Sequence, residues 1–161
     1  MGVRTWRLAN TTWAKMGGWL WSLAMTDCWR KNLEWKEAEC QLGHRIPDER
    51  CMCGIWAFFN VETMEEEFGS HLITAPTTQF ATSPRGARCE YITGVIVADG
   101  DIVIHDKGFR AQYAKVAAIF NDPFPTPKQE IAESYGCSVI APGEYDVFCA
   151  AHGLRRLDLE G

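Results

Sequence analysis

Three cysteines and a histidine fall within the stretch Cys40–Gly54, CQLGHRIPDERCMCG. Cys40, His44, Cys51 and Cys53 have the spacing C-x3-H-x6-C-x-C. Structural zinc takes four tetrahedral Cys or His ligands, so these four are the candidate metal ligands, with zinc as the expected ion. Cys28 is an alternative to His44 as the fourth ligand. Gly54, just after the C-x-C pair, relieves the backbone where two thiols must turn toward one ion. The competing reading makes Cys40 and Cys53 small buried apolar residues and His44 a solvated loop residue. A catalytic zinc, with Asp48 or Glu49 as base, would need an open coordination position; the sequence holds no HExxH or HxE…PCxxC pattern.

The surroundings favour metal over disulfides. There are seven cysteines, an odd number, and the opening MGVRTWRLAN holds no apolar leader-like stretch. A cytoplasmic protein with reduced thiols is therefore expected, with no membrane association, since no apolar run approaches the ~18 residues a span requires. Residues 25–53 are long for a connection in a compact domain, and a metal would tie that loop down. With 161 residues the chain suits one domain and has no need of a metal merely to bury a core. The net charge of −5 argues against a DNA-coating role, but leaves room for a local basic patch or a protein partner.

The rest of the chain predicts an α+β fold: a mainly antiparallel sheet, two or three helices and a zinc-pinned loop at about 38–54. VRTWRL (3–8) and WLWSLA (19–24) read as an opening pair of strands, since Gly17-Gly18 would cost a helix over 11–25 about 2 kcal/mol. GIWAFFNVETMEEEF (54–68) starts strand-like, but its spacing favours a helix. TAPTTQFATSPRGARC (74–89) reads as a loop with a basic spot at Arg85 and Arg88. YITGVIVA (91–98) and DIVIH (101–105) flank Asp99-Gly100, which predicts a β-hairpin over about 91–106. FRAQYAKVAAIF (109–120) has helical spacing, with a strand as the alternative. Thr126 and Pro127 open a helix that Gly136 closes, and CSVI (137–140) is a short strand. A small barrel, of the kind that reads modified bases, is one version of this fold. All seven Trp lie at positions 6–56 and all eight Phe from 58 onward, which could mark two layers.

A second constellation is His105, Asp106, Gly108, Phe109 and Arg110 in IHDKGFRA. A His beside an Asp after a strand, with an Arg close by, can form an anion site or an acid/base pair. His105, Asp106, Phe109 and Arg110 are thus the candidate binding residues. The plainer reading is a turn in which Phe109 enters the core and Arg110 pairs with an acid such as Asp106. Cys149 and His152 form a weak C-x2-H pair. Trp6, Trp19 and Trp21 could stack bases, although core packing is the simpler role.

WRL near the start, AEC (38–40), CMCGIWA (51–57), GVIVADGDIVIHDKGFRAQYA (94–114) and ESYGCSV (133–139) occur in an order that resembles a group of small uncharacterised proteins of actinobacteria and their phages. Members pair a C-x-C-G-[IL]-[YWH] segment with a later G-x-V…G-[FY]-R-A-x-x-A segment. The resemblance implies family positions at Cys40, Cys51, Cys53, Gly54, Gly94, Gly108, Arg110 and Ala111. It departs where the group's Trp-Gly is replaced by Ala98-Asp99-Gly100. It implies a small cytoplasmic domain, phage or prophage encoded, and no settled activity. The expectation that follows is a non-catalytic binding protein engaging a host protein or nucleoprotein complex, with the metal loop and the His105–Arg110 turn as recognition surfaces. A small hydrolase or nuclease using zinc or His105 and Asp106, and a nucleic-acid-binding module, are the alternatives.

Overall fold

The computed structural model describes residues 1–8, 20–21, 28–31, 35–68, 91–121 and 126–152, without the side chains of Arg7, Trp21, Cys28 and Phe68. The expected 74–89 loop with Arg85 and Arg88, Gly17-Gly18, Trp19 and the Cys28 and Trp21 side chains lie outside what is described. Among the described residues the strands are β1 (Gly2–Leu8), β2 (Leu20–Trp21), β3 (Cys28–Trp29), β4 (Lys36–Glu37), β5 (Ile55–Phe58), β6 (Tyr91–Ile104), β7 (Gly108–Phe120) and β8 (Ser138–Ile140). The helices are α1 (Val61–Phe68), α2 (Lys128–Ser134) and α3 (Tyr145–Ala151). The α+β class is as the sequence predicts, and among the described residues β8 on β7 is the one parallel pairing.

Strand β7 organises the sheet. One edge pairs with β6 from Gly94↔Ile119 to Ile104↔Phe109. The other edge is shared by three short strands: β5 at Gly108–Ala111, β4 at Tyr113–Ala114 and β8 at Ala118–Phe120. Strand β1 pairs with β6 over Gly2↔Ile96 to Arg7↔Tyr91, and Val3↔Phe58 joins it to β5. The pairings β1–β6–β7–β5–β1 therefore close into a ring. Closure leaves few strand edges open to foreign pairing.

Side-chain alternation feeds two apolar clusters. Trp6, Ile92, Ile96, Phe109, Ala111, Val116 and Ile119 pack with Ile131, Ala132 and Tyr135 of the α2 segment. Val3, Val95, Ala118 and Phe120 pack with Met64 of α1 and with Tyr145 and Cys149 of α3. Trp6 is fully buried, edge-on to Trp29 at 5.4 Å, so it is core and not a stacking platform. Truncating so large a buried ring to Ala costs about 3–5 kcal/mol. Trp6 and Phe109 share one cluster, so the segregation of Trp and Phe along the chain does not mark layers. Tyr135 ties α2 to the opening strands: its hydroxyl accepts from the Leu20 N–H at 3.1 Å and donates to the Trp29 carbonyl.

Four local expectations are corrected. Asp99-Gly100 is not a hairpin turn. β6 runs through it with a register shift between Asp99 and Ile102, and Gly100 takes the left-handed φ of 76°. This is a bulge, where glycine relieves an extra residue. The hairpin turns instead at His105–Lys107, where the His105 N–H donates to the Gly108 carbonyl at 2.8 Å. FRAQYAKVAAIF is strand, not helix, because neighbours cover both of its faces and blur the period of two. Residues 54–68 divide into β5 and then α1, which begins where Asn60 Oδ1 accepts the Thr63 N–H at 2.8 Å. That side chain caps one of the orphan donors of the first turn. Thr126 does not cap α2; the helix begins after Pro127, while Gly136 at φ 60° follows its end as expected.

Candidate metal centre

The loop from Ala38 to Gly54 hangs from β7 at both ends. Before it, β4 pairs Lys36 with Ala114 and Glu37 with Tyr113, and the Ala38 N–H donates to the Gln112 carbonyl at 2.8 Å. After it, β5 pairs Ile55 with Ala111. Two tight turns bring the ligand residues back on each other. Gly43 has φ 69° just before His44. Asp48 closes the second turn, its carbonyl accepting the Cys51 N–H at 3.1 Å and its carboxylate the Arg50 N–H at 2.8 Å. Gly54, at φ 112°, then steers the chain into β5, as its place after Cys53 suggests.

Cys40, His44, Cys51 and Cys53 converge: one ligand atom from each lies within 4.8 Å of all the others. Cys40 Sγ is 3.9 Å from Cys51 Sγ and 3.3 Å from His44 Nε2. Zinc–ligand bonds of about 2.3 Å to sulfur and 2.0–2.1 Å to nitrogen place tetrahedral neighbours about 3.6–3.8 Å apart. The observed spacings bracket that value, so the four residues can hold a metal ion such as zinc. His44 Nδ1 lies 2.8 Å from the Arg45 carbonyl. A proton held there fixes the tautomer and leaves Nε2 as the ligating nitrogen, the usual arrangement at metal-bound histidine.

The electrostatics favour the thiolate at Cys51 and oppose it at Cys53. The Cys51 thiol is drawn down to about 7, chiefly by the backbone N–H of Cys53 and next by His44. Burial pushes the Cys53 thiol up. His44 is raised, first by its bond to the Arg45 carbonyl. Metal must displace protons at such a centre, so its affinity falls in acid.

Behind the loop lies Arg110, 1% exposed on β7. Its Nη1 donates to the carbonyls of Cys51 and Cys53, the latter at 2.8 Å, and Nη2 to the Asp48 carbonyl at 3.2 Å. Its Nε donates to His105 Nε2 at 2.8 Å. The guanidinium carbon sits 5.2 Å from the Trp56 ring centroid, and Trp56 in turn stacks on His105 at 5.0 Å. Of the four residues expected to form a recognition turn, two face inward. Phe109 is fully buried and Arg110 faces the metal loop, so neither is available to a partner; Asp106 is exposed and His105 half-buried. Phe109 entering the core is as the plainer reading had it, but Arg110 does not pair with Asp106. His105 Nε2 accepts from Arg110 Nε, and among the described residues no hydrogen bond joins His105 to Asp106.

Two residues of this region escaped the sequence reading. Trp56 was legible only as the outward position between buried Ile55 and Ala57. Arg45 binds Asp101 with a two-pronged contact, Nε to Oδ2 at 2.6 Å and Nη2 to Oδ1 at 2.8 Å, tying the loop to the β6 bulge. Cys149 is buried and His152 exposed, and their side chains go separate ways: Cys149 toward Met1 and His152 to the Phe148 carbonyl. Among the described residues no helix is long and apolar enough to cross a membrane. No protein-family model, curated protein or solved structure matches the chain.

Proposed function

We propose that this protein is a non-catalytic binding domain, encoded by a phage or mobile element, in which structural zinc held by Cys40, His44, Cys51 and Cys53 fixes a recognition loop for a host protein or nucleoprotein complex. The observation that carries the reading is the convergence of four protein donors within 4.8 Å. Four such ligands complete a tetrahedral shell and leave no position for a reacting water, which favours a structural ion over a zinc hydrolase or nuclease. The turns between ligands also present apolar tips: Leu42 is 76% and Met52 74% exposed. Beside them Trp56 donates its indole N–H to the Met52 carbonyl at 3.1 Å. Large apolar and aromatic side chains held outward on a rigid loop are the kind that anchor protein interfaces.

The test is retention of partners from host lysate by wild-type protein and by M52E and L42E, which leave every ligand in place. Loss of a wild-type partner in both variants, with zinc content unchanged, supports the assignment. Retention of the same partners by both places recognition elsewhere.

A further inference from the structure

Arg110 is a buried cation without an anion. Among the described residues no carboxylate pairs with its guanidinium, which is 1% exposed. Its partners are three carbonyls, one imidazole and the face of Trp56. Carbonyl dipoles and a ring face soften a buried charge, but such charges are costly unless a full counter-charge lies close by. The carbonyls that Arg110 binds at Cys51 and Cys53 belong to the two ligand residues themselves. A divalent ion with three thiolates and one neutral imidazole carries one net negative charge.

We propose that Arg110 is the counter-ion of the metal–thiolate centre, a positioning residue that raises metal affinity by matching the charge of the filled site. The proposal rests on the metal reading above. A brace for the loop needs donors but no charge, and an amide side chain supplies two of the four N–H bonds without one. A guanidinium that is always charged, placed where no acid meets it, supplies something more. Metal binding and Arg110 then stabilise each other, and the coupling must be reciprocal.

The test uses the full chain loaded with cobalt(II), whose thiolate charge-transfer and tetrahedral absorption bands report the centre, with affinity read by chelator competition at fixed pH and salt. R110Q and R110M are expected to weaken cobalt binding by about 10–100-fold, the range seen for outer-shell partners. R110M covers the case in which a buried amide prevents folding, because its unbranched apolar chain packs beneath Trp56. R110K keeps the charge without the fork and is expected to stay close to wild type. Unchanged affinity in R110Q and R110M overturns the proposal. So does R110K falling as far as R110Q, which would make the role one of fork geometry. Absence of the tetrahedral thiolate bands in the wild-type chain overturns the centre itself and its counter-ion with it, a failure visible before any variant is made.

Discussion

Arg110 Nη1 donates to the Cys53 carbonyl oxygen at 2.8 Å, so a residue in the middle of the sheet holds the arm that carries two of the candidate metal ligands. The loop thus has four fastenings: β4 and β5 at its ends, the candidate ion at its four donors, Arg110 from behind and the Arg45–Asp101 pair at the β6 bulge. Removing the ion removes only one of these. The metal-free protein is expected to keep its sheet while the segment 38–54 loosens. Hydrogen exchange checks this: chelation should raise exchange at Cys51 and Cys53 far more than at Val95 or Ile119.

Thiol reactivity should separate the cysteines. In the metal-free protein Cys51 sits at about 7, and Cys137 is pushed by burial to about 11. At pH 7.5 their thiolate fractions differ by about three orders of magnitude. The higher intrinsic nucleophilicity of the more basic thiolate returns about two of these. Alkylation followed by mass spectrometry should therefore find Cys51 modified at least about tenfold faster than Cys137, with zinc suppressing only the former.

The Arg45–Asp101 pair should show a defined pH dependence. The hydrogen bond from Arg45 holds the Asp101 carboxyl below its ordinary value. A depressed folded value contributes stability above the ordinary aspartate range, and that contribution disappears as pH falls through the folded value. Both groups are solvent-exposed, so the effect is small. D101N is expected to lower the Tm at pH 7 by at most about 4 °C. The gap to wild type should begin to narrow below about pH 4, where the unfolded carboxyl takes up its proton first, and close once the pH has passed the folded value. A gap that persists into stronger acid would mean that Asp101 acts otherwise than through its charge.

Gly108 should tolerate nothing larger. A Cβ there would lie 2.0 Å from the Ala57 carbonyl oxygen, a backbone atom fixed in the β5–β7 pairing. G108A is expected to cost at least the roughly 1–3 kcal/mol typical of overpacking. Gly43 differs: its φ is 69°, but a Cβ would meet nothing within 4 Å. G43A should cost about 1–2 kcal/mol, the left-handed penalty alone, and act chiefly on metal affinity. Denaturant melts of the two variants check the order.

What the sequence revealed follows from where each signal is stored. Cys40, His44, Cys51 and Cys53 are sparse residue types close together in the chain, so their convergence was legible from spacing. The β-branched run 91–105 was legible as strand. The position of its turn was not, because Asp-Gly suits a bulge as well as a hairpin, and the chain used it for the former. Residues 109–120 misled for a related reason: Ala111, Ala114, Ala117 and Ala118 suit helices, but here small side chains fit a strand packed on both faces. Arg110 was singled out, yet its role was hidden. It acts through carbonyls 57 to 62 residues away, and backbone acceptors carry no sequence signature.

Metal analysis of the purified protein, with thiol counting and melting curves before and after chelation, tests the central claim most directly. The account predicts one tightly held zinc per chain, protection of Cys40, Cys51 and Cys53 until a chelator removes it, and a lower Tm afterwards. Metal-free protein whose three loop thiols react at once, with a melting curve indifferent to chelator, would contradict it.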